Sequence, residues 1–303
     1  LCGTVKPQSL FCETLKITTK GLIYMKKLNI MDEYRLVNEV IMTNRIYNMD
    51  CLEGLRRMPD NSVDLILTDP PYCFDTKKGK GTGIVKDSKY LKEIEYMTNG
   101  FDLRILDECV RVMKKINAFF FCSREQIPMY IEYFSALDAN IQLLTWSKTD
   151  VPPLCNGKYL SDTEYIIYAY ESNTDERYTL ITDHFITKKV RSNKNDPLYH
   201  PTKKPIDILS SLIQSASKEN DIVLDMFSGS ASTAVACIET GRKFIGFELM
   251  EKYYKAGNKR IAIALEEHPE YKLKSTPLVS KSDIVSGNAT SMFDAIDDGN
   301  IDL

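Results

Sequence analysis

The chain has 303 residues, of which 43% are hydrophobic, so it is long enough to bury one large α/β core or two small ones. Its 39 Lys and Arg residues against 42 Asp and Glu residues give a formal net charge of −3, which excludes a general basic surface for a polyanion. Any nucleic-acid surface must therefore be local.

Apolar stretches and cysteines narrow the class of protein. Runs such as Ala118–Cys122 are far shorter than the roughly 18 apolar residues of a membrane span, and no secretory pattern opens the chain. The eight cysteines include no C-x-x-C pair, which disfavours a zinc site and a disulfide framework. We therefore expect a soluble protein of a reducing cytoplasm.

Composition divides the chain into three regions. Residues 1–41 carry scattered apolar residues without a clean period and are predicted to form a peripheral leader. Residues 42–271 alternate short β-branched or aromatic runs with helical patterns, which is typical of a doubly wound α/β sheet. Residues 272–303 are polar and acidic, so we expect a flexible tail.

The middle region contains at least seven runs that read as strands. In chain order they are Ile46–Met49, Val63–Leu67, Ala118–Phe121, Ile141–Trp146, Tyr165–Ala169, Ile222–Leu224 and Lys243–Phe247. Helical patterns lie between them, for example over Asp102–Lys115 and Pro205–Lys218. The stretch from about 171 to 201 has no periodicity, so it is predicted to be an insertion at the edge of the sheet.

Asp50 and Cys51 follow the first of these strands. The Asp50 carboxylate could accept a hydrogen bond from an exocyclic amine while the next backbone amide donates to a ring nitrogen, which together would read an adenine edge. The alternative is a helix cap, because Asp50 precedes a helical pattern with Glu53 at the capping-box position. On these residues alone the cap is the better interpretation.

The sequence Asp69-Pro70-Pro71-Tyr72 follows the second strand. Two successive prolines lack backbone donors, so this turn presents acceptors, namely the Asp69 carboxylate and the Pro70 carbonyl. Two acceptors suit an NH₂ group, because they hold its hydrogens while the nitrogen lone pair leaves conjugation to attack an electrophile. Tyr72 offers a ring on which a planar base could stack. A rigid Asp-Pro turn with an aromatic plug is the alternative, and we favour the functional interpretation.

A strand, a Gly/Ser turn and a helical pattern come in succession after residue 222. The amides of such a turn and the helix N-terminus favour a negatively charged group. Glu248 ends the next strand, where the ribose diol of a nucleoside cofactor would find its acceptor. The alternative is an ordinary tight βα connection, and the pairing with Glu248 favours a cofactor site. The turn residues in question are Asp225, Phe227, Ser228, Gly229 and Ser230.

The order of these motifs resembles the β-class S-adenosylmethionine-dependent amino-group DNA methyltransferases. In that family Asp-Pro-Pro-Tyr is the catalytic signature and Asp-x-Phe-x-Gly belongs to the cofactor site. The β class has the catalytic motif first, as 69–72 precedes 225–231 here, with His200–Pro205 just before the latter. Two further blocks, Trp146-Ser147-Lys148 and Glu164-Tyr165-Ile166-Ile167, are similar to those that follow the catalytic half.

The resemblance covers roughly Arg45–Ile261 and implies a Rossmann-like, mostly parallel sheet with a small target-recognition insertion. It implies that Asp50 and Cys51 read adenine, that Glu248 binds the ribose, and that Asp69 to Tyr72 are catalytic. Thr202 and Lys204 resemble the pair that meets the methionine carboxylate of the cofactor. The cofactor turn is then the one from Asp225 to Ser230.

Two residues depart from the family pattern. The family usually has Gly where this chain has Ala231, and commonly Pro where it has Met226. A methyl group at position 231 is harmless if φ is negative, but it crowds the turn if the backbone needs a positive φ. A DNA-binding relative impaired in catalysis therefore stays open as an alternative.

A basic cluster lies at the end of the 171–201 insertion. Lys188, Lys189, Arg191 and Lys194 are candidate phosphate contacts, with a solvated charged loop as the alternative. In the resembling family the target-recognition region lies in this part of the chain, and its shortness predicts a short recognition sequence. A second basic loop, Lys77–Gly83, could close over DNA or be a plain surface loop. The three histidines show no ligand spacing, so we assign no metal.

These observations predict an enzyme that flips adenine out of duplex DNA and methylates its N6 directly from S-adenosylmethionine, releasing S-adenosylhomocysteine. In the family, Asp at the first motif position leans towards adenine, whereas Ser or Thr leans towards cytosine, so cytosine-N4 methylation is the nearest alternative. RNA or protein-amide methylation is disfavoured, since protein-directed relatives usually begin the motif with Asn. The expected partner is double-stranded DNA and not a membrane, in a prokaryotic or phage-infected cell. A homodimer and a cognate restriction endonuclease stay open.

Overall fold

The computed structural model describes residues 40–71, 102–151, 159, 162–171, 182–188, 198, 202–271 and 274–278. The strands are β1 (Arg45–Tyr47), β2 (Leu65–Thr68), β3 (Asn117–Cys122), β4 (Asn140–Lys148), β5 (Thr163–Tyr170), β6 (His184–Thr187), β7 (Ile222–Asp225) and β8 (Lys243–Phe247). The helices are α1 (Cys51–Arg56), α2 (Arg104–Val112), α3 (Ile127–Ser135), α4 (Ile206–Ala216), α5 (Ser232–Glu239) and α6 (Glu251–Glu267). All of these elements lie in the unit Ile41–Leu303.

The strands form one sheet in the order β1-β8-β7-β2-β3-β5-β4-β6. Neighbours pair in parallel except around β5, which is antiparallel to both β3 and β4. The predicted Rossmann-like, mostly parallel sheet is therefore confirmed, and all seven predicted strands are present. The helices predicted after Asp102 and after Pro205 are α2 and α4.

The eighth strand, β6, lies within the stretch that is predicted to be an insertion at the edge of the sheet. It pairs in parallel with β4 and is the last strand of the sheet. Its four residues alternate between exposed and half-buried. A short edge strand of this kind has too few apolar side chains to stand out as a period in the sequence.

The central strands bury both of their faces, because successive side chains point to opposite sides of a sheet. In β3, Phe120 lies in a core layer with Leu106 of α2, whereas Phe119 lies in the other layer with Leu212 of α4. Helices α1 to α3 cover the first face and α4 to α6 the second. Each such fully buried side chain stabilises the fold by about 1.5–3 kcal/mol relative to exposure.

Residues 274–278 lie beside the start of the sheet. The Thr43 amide donates to the Thr276 carbonyl at 2.9 Å, the Leu278 amide donates to the Ile41 carbonyl at 2.8 Å, and Leu278 is buried. These five residues therefore pack beside the sheet, although their composition predicts the start of a flexible tail. The other predicted domain boundaries stay predictions.

Among the helices of the described residues, none is both long enough and apolar enough to cross a membrane.

Strands β1, β2, β7 and β8 run in the same direction, so the turns after them meet at one edge of the sheet. In doubly wound sheets this carboxyl edge is where ligands bind.

Candidate active site

The turn after β2 carries Asp69, Pro70 and Pro71. Pro70 is buried, and the Pro71 carbonyl accepts a hydrogen bond from Gln126 Nε2 at 3.1 Å. The Gln126 side chain is buried and its Oε1 in turn accepts the Ser123 amide at 3.0 Å. Gln126 thus ties the turn to the connection between β3 and α3. Tyr72, the fourth residue of the predicted catalytic set, lies outside the described residues.

The turn after β7 is folded around the Asp225 carboxylate. Asp225 Oδ1 accepts the Thr68 hydroxyl at 2.8 Å and the Phe227 amide at 3.1 Å. The Ser228 hydroxyl donates to the Asp225 carbonyl at 3.0 Å, which closes the turn. Burial raises the pKa of Asp225 to about 6. The Thr68 bond joins this turn to β2, one residue before Asp69.

Glu248 follows β8 and is held by the backbone at both carboxylate oxygens. Its Oε2 accepts the Gly229 amide at 2.9 Å and its Oε1 accepts the Met250 amide at 2.7 Å. Burial raises the pKa of Glu248 to about 7. The Glu248 side chain therefore lies against the glycine of the predicted cofactor turn.

Ala231 has φ +64° and ψ +33°, which is the left-handed conformation that favours glycine. Its methyl group points at Gly257 of α6, and Arg260, one turn further along that helix, donates to the Ser230 carbonyl at 2.6 Å. The chain thus accommodates Ala231 with a glycine opposite it. The second departure, Met226, is buried, and its sulfur lies 3.0 Å from Cys109 Sγ.

Asp50 is the N-cap of α1. Its Oδ1 accepts the amides of Leu52 at 3.0 Å and Glu53 at 3.2 Å, while Cys51 is buried and burial raises its pKa to about 12. The cap that the sequence favours on local grounds is therefore present. Two residues before Asp50, Asn48 Nδ2 donates to the Glu248 carbonyl at 2.8 Å, so the connection from β1 to α1 is tied to the turn of Glu248.

Lys204 lies just before Pro205, the N-cap of α4, and forms an ion pair with Asp69. Its Nζ also lies 3.2 Å from Glu164 Oε2 on β5. Burial by itself would lower the pKa of Lys204, but the carboxylates of Asp69 and Glu164 outweigh it and raise that pKa. The resemblance predicts that Lys204 meets a cofactor carboxylate, whereas in this structure its partners include the carboxylate of the catalytic motif itself.

One cleft brings the two motifs together. It has about 370 Å³ of empty space, part of it open to solvent, between the turn after β2 and the turn after β7. The predicted site residues that line it are Asp69, Thr202, Lys204, Asp225, Phe227, Ser228, Gly229 and Ser230. Asp50, Cys51 and Glu248 are not among its lining residues.

The basic cluster is described only at its first residue. Lys188 is exposed and directly follows β6, at the edge of the sheet. Lys189, Arg191 and Lys194 lie outside the described residues, as does the loop Lys77–Gly83. The described ranges contain no group of three or more His, Cys, Asp or Glu side chains that could hold a metal ion.

Sequence reasoning gives no role to several residues that shape this site. Glu164 and Lys148 stand in blocks quoted for the resemblance, and only the structure places Glu164 next to Lys204 and Lys148 next to Glu164. Gln126 and Arg260 carry no motif signal, since each acts by a hydrogen bond to a backbone carbonyl distant in sequence. Gly257 is one glycine in a helical pattern, for which a packing reason is the usual explanation.

Comparison with known proteins shows the family to which the chain is similar. A family model for N6/N4 enzymes, described as DNA methylase, matches residues 63–259. DNA adenine methyltransferase YhdJ of Escherichia coli (strain K12) is 29% identical over 273 residues, covering 78% of this chain and 90% of that protein.

Solved structures share the fold. The M1.HpyAVI-SAM complex has a TM-score of 0.54 at 23% identity, covering 72% of this chain and 98% of that chain. PvuII DNA methyltransferase (cytosine-N4-specific) has a TM-score of 0.54 at 17% identity, covering 75% of this chain and 93% of that chain.

Proposed function

We propose that this chain, which belongs to the N6/N4 DNA methylase family, transfers a methyl group from S-adenosylmethionine to the N6 amine of adenine in DNA. One observation carries the proposal: Asp69 and the turn Asp225–Ser230 line the same cleft. Direct methyl transfer needs the target amine and the cofactor in contact, so the carboxylate that holds one and the turn that holds the other must border the same cleft.

The residues of the cleft fit S-adenosylmethionine by their chemistry. The Gly229 backbone, at φ +52°, presents no side chain to a ligand, and the neighbouring Glu248 carboxylate is an acceptor suited to ribose hydroxyls. Thr202 and Lys204 offer a hydroxyl and a cation to a carboxylate. Asp50 and Cys51 lie outside the lining of the cleft, and the family resemblance assigns them to the adenine. When bound, the cofactor supplies a methyl group made electrophilic by its sulfonium.

The catalytic turn handles the other reactant. We assign the Asp69 carboxylate and the Pro70 carbonyl to the two hydrogens of the target amine, which turns the nitrogen lone pair towards the cleft. In direct transfer the nitrogen would gain the methyl group as S-adenosylhomocysteine leaves, and it would lose one proton to solvent, with no covalent bond to the enzyme. The target base must leave the duplex to reach this turn, and stacking on Tyr72 would hold it there.

Radiolabelled methyl transfer tests the function. Wild-type protein, labelled S-adenosylmethionine and genomic DNA are incubated, and the DNA is then digested to nucleosides. We expect the label in N6-methyldeoxyadenosine. The Asp69→Ala variant serves as the blank. Sequencing of the methylated positions then gives the recognition sequence, which we expect to be short and read from duplex DNA.

Cytosine-N4 methylation is the second candidate. The specific observation in its favour is that a cytosine-N4-specific enzyme shares this fold, and that the Asp69 and Pro70 acceptors suit any exocyclic NH₂ group. The same digest separates the two, because label in N4-methyldeoxycytidine would replace the adenine proposal. Absence of label in DNA, with calorimetric binding of the cofactor intact, would instead indicate a relative impaired in catalysis.

A further inference from the structure

Four charged side chains alternate in sign across the active site. Lys204 binds Asp69 on one side and lies 3.2 Å from Glu164 Oε2 on the other, and Glu164 Oε1 lies 2.5 Å from Lys148 Nζ. The order is therefore Asp69, Lys204, Glu164, Lys148. Two carboxylates and two ammonium groups leave the row neutral.

Two members of the row, Glu164 and Lys148, lie on strands, whereas Asp69 lies in the turn after β2 and Lys204 in the connection before α4. Glu164 on β5 lies opposite Trp146 on β4, and Lys148 ends β4 two residues later, so the two side chains are diagonal cross-strand neighbours. Lys204 Nζ lies 5.0 Å from the centre of the buried Phe121 ring, and Lys148 Nζ lies 4.9 Å from that of Trp146. Both ammonium groups thus rest on rigid aromatic surfaces.

Burial makes these contacts consequential. The Lys204 side chain is only 7% exposed, against 19% for Glu164. Burial alone would raise the pKa of Glu164, but the charges of Lys204 and Lys148 outweigh it and lower that pKa. If one member of this row loses its charge, the neighbouring charge is left uncompensated. That neighbour then interacts more strongly with its remaining partner.

We propose that Glu164 is a positioning residue for Asp69, acting through Lys204. An ammonium group has three donors and no acceptor, so Lys204 can divide them between two carboxylates. With Glu164 present, part of the Lys204 charge is directed away from Asp69. The Asp69 carboxylate then keeps the acceptor strength and the orientation that a target amine requires. Lys148 balances the second oxygen of Glu164. This inference rests on the proposed function, because it concerns how Asp69 meets an exocyclic amine.

Glu164→Gln tests the role, since it keeps the size of the side chain and removes its charge. Part of the Lys204 charge that now faces Glu164 should then pass to Asp69 and compete there with the target amine. We expect kcat to drop about tenfold while the dissociation constant of S-adenosylmethionine changes by less than about threefold. Glu171→Gln is the matched control, because Glu171 lies just past the other end of β5 and accepts the Ile116 amide at 3.0 Å. Its kcat should be that of the wild type.

A binding experiment without cofactor isolates the contact to the amine. Duplexes that carry the recognition sequence with adenine or with purine at the target position differ only in the NH₂ group. Purine also flips more easily, but that advantage is the same for every variant and cancels in a comparison of ratios. The ratio of the affinity for the adenine duplex to that for the purine duplex should be about tenfold higher for the wild type than for Glu164→Gln. Should the product of the methylation assay be N4-methylcytosine, cytosine and 2-pyrimidinone form the matched pair.

Each outcome decides one statement. Wild type that labels no DNA overturns the proposed function, whatever Glu164→Gln does. Wild type that labels DNA, with a Glu164→Gln variant that keeps both kcat and the adenine-to-purine ratio, overturns the positioning role alone. Loss of kcat, cofactor affinity and melting temperature together with an unchanged ratio would assign Glu164 to structure only. If Glu164→Gln fails to fold, Glu164→Asp replaces it; the retained charge should keep the ratio within about threefold of the wild type, and a larger loss contradicts the inference.

Discussion

Ala231 and Gly257 face each other across the cofactor turn, and a Cβ added at Gly257 would lie 3.1 Å from the Cβ of Ala231. The turn residue is held at φ +64°, where a methyl group is strained, and the helix residue opposite has no side chain. Where this chain departs from the family pattern at position 231, helix α6 therefore has a glycine, which leaves room for the Ala231 methyl group.

The first prediction concerns this pair. Gly257→Ala should lower the free energy of unfolding by about 1–3 kcal/mol, because the added methyl pushes against Ala231. A glycine-to-alanine change inside a helix normally stabilises, so the sign itself is informative. Urea unfolding of the single and double variants measures the coupling. In the Ala231→Gly background the loss should shrink, and strictly additive effects would mean that the two residues do not interact.

Ala231→Gly alone gives the second prediction. Glycine adopts φ +64° freely, so the variant should gain roughly 1 kcal/mol of unfolding free energy or bind S-adenosylmethionine more tightly. Calorimetric titration and urea unfolding measure the two quantities. A loss of both would mean that the Ala231 methyl stabilises the turn through its packing on Gly257.

Asp69→Ala should abolish methyl transfer, by about 10³-fold or more, while cofactor affinity stays within a few-fold. The reason is that Asp69 is assigned to the target amine and not to the cofactor. Asp60→Asn is the matched control, since Asp60 is an exposed aspartate before β2 that pairs with Arg111. Single-turnover rates and calorimetric titration give the two numbers. Near-normal turnover would remove Asp69 from the mechanism.

Glu248 should make cofactor binding depend on pH. Its pKa is raised to about 7 by burial, so the carboxylate is progressively protonated as pH falls through 7 and loses acceptor capacity for ribose hydroxyls. Glu248→Ala should weaken binding by roughly 1–3 kcal/mol at pH 8 and flatten the pH dependence. Titrations at several pH values measure both. Unchanged affinity at pH 8 would refute the assignment.

The same two raised pKa values predict a trend in stability. Asp225 and Glu248 hold their protons more tightly in the folded chain than in the unfolded chain, whose carboxyl groups titrate near pH 4. Between about pH 4 and pH 7 the folded state therefore binds more protons, and the free energy of unfolding contributed by these groups falls as pH rises. Glu248→Gln should remove its share of the slope in urea unfolding at pH 5 and pH 8. An identical slope in the wild type and the variant would contradict this.

Lys188, Lys189, Arg191 and Lys194 are predicted to contact DNA phosphates. Each single substitution by Ala should weaken binding to all sequences about equally and reduce the log-log salt slope by about 0.9. A residue that reads a base would instead relax the preference at one position, at roughly 1–3 kcal/mol. Titration of cognate and scrambled duplexes at several salt concentrations separates the two. Lys259→Ala, on the exposed side of α6, is the control. Four unchanged slopes would direct the search to Lys77–Lys89.

Local sequence signals predicted much of the fold and only part of the site. The seven predicted strands are strongly apolar, and the motif turns follow strands, so their meeting at one sheet edge could be expected from parallel topology. The bond from Thr68 to Asp225 and the ion pair from Lys204 to Asp69 could not, because each joins side chains more than 130 residues apart in the chain. The sequence left the sign of φ at Ala231 open, since the family glycine suggests a positive φ there and alanine itself gives no signal for it.

The contact between residues 41–43 and 276–278 joins a segment that precedes β1 to a segment that follows α6, so that all the strands lie between them in the chain. Because the Leu278 amide reaches the Ile41 carbonyl at 2.8 Å, a short peptide could join these positions without disturbing the strands between them. New termini could then open in the exposed turn Ala136–Asp138, between α3 and β4. A chain from Ile41 to Leu278 would thus be suited to circular permutation. Because this cut falls between the catalytic motif and the cofactor turn, it would exchange their order along the chain. The cleft that they share would stay intact.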